Sequence, residues 1–330
     1  MLKVESGAVL KKNQTKSIFF TLFNKYPLII GFLALIMIFY LMEPRFLSKR
    51  NIFNIILQVS ILAPLAIGET LVILTRGIDI SIGSILAISS AVCGGLLLSK
   101  YNILLCCFMA IAVGAGLGFC NGITISYLGI PPLIATLAMM SIARGLQFLY
   151  TLGATLYAFP KGFRYLGTAM WFGIPAPIYL TVVVFILFHL IMKYTIIGRS
   201  IYAIGGNPEA ARISGISIRK VTLLVYTISG ILCAVGGMIL LMRMDAMQNT
   251  AGSGIELEAI AAVVIGGTSI AEGGAGSIYM TALGTIIYGV ILNGLNIVGV
   301  NPFSQRAIIG TIILVVVAID CVIRKKRFST

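Results

Sequence analysis

Charge is scarce in this sequence. Only 10% of its 330 residues are Asp, Glu, Lys or Arg, while 59% are hydrophobic, and an ordinary soluble domain carries about 25% charged residues. That shortage excludes a soluble globular chain and marks an integral membrane protein. Histidine is almost absent: His189 stands alone on an apolar stretch and reads as a helix-packing residue. Without a second His, with serines that lack a base and with scattered acids, no metal centre or nucleophile-base pair can be assembled, which argues against a membrane-embedded enzyme. No Gly-x-x-x-x-Gly-Lys-Ser/Thr loop occurs, nor even a Gly-Lys pair, so this chain carries no phosphate loop for ATP. No Cys-x-x-Cys spacing links Cys93, Cys106, Cys107, Cys120, Cys233 and Cys321; they lie within or at the ends of apolar segments and read as small buried hydrophobes.

What the chain has instead is apolar length and a basic excess. A span needs about 20 mostly apolar residues, and ten segments qualify or nearly do: 27–42, 52–75, 80–98, 103–127, 131–151, 177–193, 221–242, 255–269, 277–298 and 304–323. The expected fold is all-α and polytopic, with a transmembrane domain over 27–323 between basic tails at 1–26 and 324–330. The segment 255–269 is short and begins with Glu256 and Glu258, as a half-span or re-entrant helix would. The formal charge is +14, but the cations sit in the ends and loops, which favours membrane anchoring over nucleic acid as a partner. With the N-terminus inside, Lys3, Lys11, Lys12, Lys16, Lys25, Arg76, Lys193, Arg199, Arg212, Arg219, Lys220, Arg324, Lys325, Lys326 and Arg327 become cytoplasmic. Arg45, Lys49, Arg50, Lys100, Lys161, Arg164 and Arg243 fall outside, an asymmetry of fifteen to seven in the direction of the positive-inside rule. The basic N-terminal stretch has no small-residue cleavage site after its apolar run and reads as an uncleaved tail.

Between the sixth and seventh candidate spans, a polar loop at 194–220 contains Gly205-Gly206-Asn207-Pro208-Glu209-Ala210-Ala211-Arg212-Ile213-Ser214-Gly215. Asn207 is a good N-cap, Pro208 suits the first helical position and Glu209 places negative charge at the positive end of the dipole. Gly215 can adopt the left-handed turn that ends a helix. About two turns result, too few to be stable alone in water, so the helix needs its flanks or a partner. By capping rules it can equally be a plain surface helix.

Other polar residues interrupt the apolar segments. Glu69 lies inside a span near Pro64 and Gly68; it either faces a protein-lined path or reaches headgroups or Arg76. In Thr75-Arg76-Gly77-Ile78-Asp79-Ile80-Ser81-Ile82-Gly83-Ser84, Asp79 or Ser81 can cap the next helix. Asn121 is a further polar residue in an apolar run. Thr136, Met140 and Ala143 or Arg144 repeat at helical spacing after Pro131-Pro132, a pattern that packing through small side chains also explains. Residues 152–176 read as a long external loop rich in Gly and Pro. Gly83-Ser84 against Gly276-Ser277, and Asn121-Gly122 against Asn293-Gly294, hint at an internal repeat.

The stretch 205–216 resembles the cytoplasmic loop Gly-Gly-Asn-x-Glu-Ala-Ala-Arg-x-Ser-Gly-Ile of permease subunits in ribose-type ABC importers of monosaccharides. Three more stretches are similar to that family in the same order. They are Gly77-Ile78-Asp79-Ile80-Ser81-Ile82-Gly83-Ser84, Pro131-Pro132 through Arg144-Gly145, and Gly254-Ile255-Glu256-Leu257-Glu258-Ala259-Ile260-Ala261-Ala262-Val263-Val264-Ile265-Gly266-Gly267. Arg76 stands where that family more usually has glycine, and Ala275 where it often has a basic residue. The resemblance spans about residues 27–323. It implies that Gly205, Gly206, Asn207, Pro208, Glu209, Ala210, Ala211, Arg212, Ser214 and Gly215 form a coupling helix seated on a separate ATPase subunit, which would hold ATP and Mg. It further implies a second permease copy or paralogue, an extracytoplasmic sugar-binding protein and a bacterial plasma-membrane location with both termini cytoplasmic. Glu69, Asp79, Ser81, Asn121, Thr136, Met140, Arg144, Glu256 and Glu258 are the candidates for lining the path. A furanosyl signal molecule is an alternative cargo, and an ion-coupled secondary transporter using Glu69 and Asp79 is the alternative machine.

Overall fold

The computed structural model describes residues 27–328; the expected N-terminal tail and its five lysines lie outside the described residues. Thirteen α-helices are described: α1 Pro27–Met42, α2 Lys49–Leu74, α3 Ile82–Leu98, α4 Ile103–Ser126, α5 Pro132–Thr151, α6 Lys161–Thr168, α7 Ala176–Tyr194, α8 Ile196–Gly206, α9 Pro208–Ile213, α10 Ile218–Met244, α11 Ile255–Ile265, α12 Ile278–Ile297 and α13 Pro302–Phe328. The described residues are thus mostly helical, as the apolar runs require, because backbone groups in lipid must be satisfied within the segment. Helix α13 continues to Phe328, so residues expected to begin the basic tail at 324 extend the last helix.

Among the described residues, six helices are long and apolar enough to cross a membrane: α2, α4, α5, α7, α10 and α12. Helix α11 has 11 residues, about 16 Å at 1.5 Å per residue, and cannot cross about 30 Å of hydrocarbon alone. The short element read at 255–269 is therefore short in fact.

Helix α2 runs through the middle of the bundle and is buried continuously from Val59 to Leu74. Its Pro64 removes the N–H that would reach Ser60, and the Thr181 hydroxyl of α7 donates to the Ser60 carbonyl instead (3.3 Å). Helix α12 is tied to α2 at two levels, by Asn51 Nδ2 donating to Asn293 Oδ1 (2.8 Å) and by the Thr70 and Thr281 hydroxyls (2.7 Å). Helix α10 lies directly against α4, where Gly114, Gly118 and Gly122 face the backbone of Leu223, Tyr226 and Gly230 with no room for a Cβ. Backbones that close replace hydrophobic driving force with van der Waals contact.

Two breaks shape the interior. After α2 the chain folds back into the bundle through residues 75–81 before α3 begins. After α10 residues 245–254 do the same before α11, and Gly83 and Gly252 meet with no space between their backbones. At the end of the bundle away from α9, the stretch expected to be an open loop at 152–176 contains α6 and three short strands, of which β2 Met170–Trp171 and β3 Ile174–Pro175 pair with each other. Strand β1 Leu156–Tyr157 pairs with β4 Ala246–Met247, and Arg164 of α6 binds Asp245 (3.2 Å). The Asn-Gly pairs do not correspond in space: Asn121 is bonded to Ser81, Asn293 to Asn51.

Candidate functional site

The fold-back at 75–81 brings Glu69, Asp79, Ser81, Asn121 and Thr136 together, all fully buried. Asp79 is at the centre. Its Oδ1 accepts from the Ser81 N–H (2.9 Å) and hydroxyl (2.5 Å), and its Oδ2 accepts from the Ser229 hydroxyl of α10 (3.2 Å). The Asp79 N–H donates to Glu69 Oε1 (3.2 Å), and Asn121 Nδ2 donates to Ser81 Oγ (2.9 Å). Thr136 at the start of α5 donates to Pro132 of its own first turn (2.9 Å) and reaches the Ile78 carbonyl at 3.4 Å. Four helices, α2, α4, α5 and α10, converge on one short segment.

One sequence expectation is corrected here, and one of the two readings of Glu69 falls away. Ser81 occupies the N-cap position of α3 but makes no side-chain cap bond; its hydroxyl is committed to Asp79, whose own side chain is committed to Ser81 and Ser229. Glu69 reaches neither headgroups nor Arg76, because it is 0% exposed and turned toward Asp79. Ser229 was not legible in the sequence, since a lone serine in an apolar span carries no spacing signal.

Arg76 points the other way, out of the bundle. Its Nε donates to the Gly205 carbonyl (2.8 Å) and its Nη2 to the Gly206 carbonyl (3.0 Å), the last two residues of α8. The same junction takes in the loop after α11: the Gly274 N–H donates to Leu74 O (2.9 Å) and the Tyr202 hydroxyl to Gly276 O (3.1 Å). A Cβ at Gly205 would strike the backbone of Leu74 and Gly274. Arg76 holds this position at φ +65, a left-handed conformation that costs a non-glycine residue about 1 kcal/mol or more.

Helix α9 follows at once. Asn207 caps it, its Oδ1 accepting from the N–H groups of Glu209 (3.0 Å) and Ala210 (3.1 Å). Glu209 and Arg212 bridge at 2.6 Å, both largely exposed. Ser214 closes the helix and Gly215 turns the chain at φ +82. Only Ala211 of the six residues is buried, and Ile213 is 78% exposed. The helix preceding it, α8, was not anticipated within the 194–220 loop; Thr195 caps it through the Gly198 N–H (3.3 Å).

A second group of predicted residues lies apart from the Asp79 cluster. Arg144 Nη1 donates to the Ala251 carbonyl (2.7 Å) and to Gln147 Oε1 (3.3 Å), so it holds the second fold-back. Glu256 Oε1 accepts from the Gly254 N–H (3.2 Å), and its carboxylate lies against Gly83. Glu258 lines a cavity of about 310 Å³ together with Tyr288 and Arg306. Met140 belongs to neither group; Met139 is the methionine that faces the bundle. His189 packs edge-on against Tyr279, with ring centroids 6.5 Å apart. Among the described residues no group of three or more His, Cys, Asp or Glu is placed to hold a metal ion.

Similarity to known proteins runs over nearly the whole chain. It is 40% identical over 296 residues to the ribose import permease protein of Escherichia coli strain K12, covering 88% of this chain and 92% of that one. It is 41% identical over 319 residues to the ribose import permease protein of Bacillus subtilis strain 168, covering 96% and 98%. The D-allose transport system permease protein of Escherichia coli strain K12 is 35% identical over 325 residues, 98% of each chain. No solved structure matches. The model of the family described as branched-chain amino acid transport system / permease component matches residues 51–317; the chain belongs to that family of membrane permeases.

Proposed function

We propose that this chain is the transmembrane subunit of an ATP-driven importer of a monosaccharide, energised by a separate ATPase that binds ATP and Mg and supplied by an extracytoplasmic sugar-binding protein. The kinship with ribose and allose permeases supports the cargo class, and the lack of any phosphate loop in the sequence supports a separate motor. The observation that carries the reading is the junction at Arg76. An exposed, pre-capped helix is joined by α8 and two charge-assisted hydrogen bonds to the fold-back that holds Asp79 in the bundle. A push on α9 therefore reaches the interior through stiff parts, as a switch between outward-facing and inward-facing states requires.

In this reading the chain crosses the membrane ten times with both ends in the cytoplasm. Eight crossings are single helices, and two are composites of a fold-back and a short helix, 75–98 and 245–265. One chain offers one α9, so two ATPases call for two permeases, as identical copies or paralogues. The path would run past Glu256, Glu258 and Arg144, while Glu69, Asp79, Ser81, Asn121 and Thr136 hold the segment that moves. Inverted vesicles and cells with the assembled importer separate this machine from an ion-coupled carrier. Uptake of D-ribose or D-allose by cells should stop when ATP is depleted and survive an ionophore; the reverse pattern would overturn the proposal.

A further inference from the structure

Three adjoining cavities of about 200, 310 and 190 Å³ open among α2, α10, α11, α12 and α13, in the half of the bundle away from α9, and Glu258 lines all three. Tyr288 lines the second and third, Arg306 the second and Arg243 the third. Among the described residues these groups make no hydrogen bond or salt bridge, although the Arg306 charge attracts the Glu258 carboxylate through space. The Glu258 carboxylate accepts no hydrogen bond from a described residue, unlike Glu256 two positions earlier, which accepts the Gly254 N–H. Neither Arg243 nor Arg306 forms a salt bridge among the described residues, where the bridges are those of Arg45, Arg164 and Arg212. Tyr288 is 2% exposed, and its phenolic oxygen is buried without a partner.

A buried hydroxyl left unpaired costs about 1–3 kcal/mol, and a half-buried charge without hydrogen bonds costs more. The first turn of α11 offers Glu258 the helix dipole, but not the hydrogen bonds a carboxylate takes. An acceptor-only carboxylate, donor-only guanidiniums and a phenol that can do either, gathered around one aromatic ring, are what a ligand of several hydroxyls satisfies, because each hydroxyl is one donor and two acceptors. The geometry points to a polyol-holding subsite on the path, in which a neutral monosaccharide sets a vicinal diol on Glu258, further hydroxyls on Tyr288, Arg243 and Arg306, and its apolar face on the Tyr288 ring. This inference rests on the functional reading above. The cavities are small and open, so the sugar is held briefly on its way through and is not stored.

The test uses the complete importer, with its ATPase and binding protein, in proteoliposomes, and compares radiolabelled D-ribose with 2-deoxy-D-ribose, which lacks one hydroxyl of the diol. Glu258→Gln should lower ribose uptake by about tenfold, the loss expected for a charged hydrogen bond, with ATP hydrolysis stimulated by loaded binding protein kept within about twofold of wild type. The ratio of ribose to deoxyribose uptake should fall toward unity; the same binding protein serves both variants, so a changed ratio belongs to the permease. Tyr288→Phe, which preserves the ring and the packing, should lower ribose uptake by about threefold to tenfold. Uptake by Glu258→Gln at the wild-type rate and ratio overturns the subsite. Loss of uptake and ATP hydrolysis together also overturns it and assigns Glu258 to coupling. A wild-type importer that carries none of D-ribose, D-allose, D-fructose and D-galactose overturns the functional reading and the subsite with it.

Discussion

At Asp79 one carboxylate receives three hydrogen bonds inside a membrane bundle, from two serines on different elements. Its removal leaves two hydroxyl donors and an N–H without their acceptor, each worth about 1–3 kcal/mol when buried. Asp79→Ala should therefore lower the thermal unfolding temperature of the detergent-purified protein sharply, and Ser229→Ala only slightly, since one of three donors is lost. Equal effects would show that Asp79 is not the centre of the cluster. Arg76 poses the opposite case. Its left-handed backbone is strained, and glycine would relieve about 1 kcal/mol while deleting the two bonds to Gly205 and Gly206. Arg76→Gly should unfold no earlier than wild type yet move several-fold less sugar per ATP hydrolysed. A stable variant with unchanged coupling would remove Arg76 from the transmission.

Among the elements, α9 was the most legible, because every signal that builds it is local: Asn207, Pro208, Glu209 and Gly215 each act within one or two turns. The fold-backs were less so. Asp79 and Ser81 read as caps because a cap is the commonest use of such residues before a helix, whereas their actual partners, Ser229 and Asn121, are 150 and 40 residues away. Arg76 was visible only as an odd residue at a glycine position; its partners at Gly205 and Gly206 are backbone carbonyls, which leave no trace in side-chain pattern. The contact of α4 with α10 allows an element-scale test. Gly118→Leu would thrust a branched side chain into the Tyr226 and Gly230 backbone, an overpacking that costs about 1–3 kcal/mol or more. The variant should accumulate poorly in the membrane, while Gly116→Leu, which meets nothing within 4 Å, should accumulate normally. Glu209→Lys tests α9 itself: it replaces the negative charge at the helix start with a positive one and should leave membrane levels unchanged while reducing ATP-driven uptake in reconstituted complexes.

For the whole molecule, composition sufficed for a polytopic helical chain, and the order of four motifs sufficed for the family. Depth and convergence were out of reach, because apolar patterning places a residue along its own helix and says little about which helices meet. Hence Glu69, Asp79, Ser81, Asn121 and Thr136 were picked out singly and proved to be one cluster, while Met140 belonged to none. The central claim is that another subunit's motion enters at α9. It is tested most directly by Ile213→Cys in a background with the six native cysteines replaced, probed with an impermeant maleimide. The thiol should react in inverted vesicles, stay silent in intact cells and become protected when the ATPase subunit is bound. Reaction from the outside of intact cells, or labelling indifferent to the ATPase, would contradict the account.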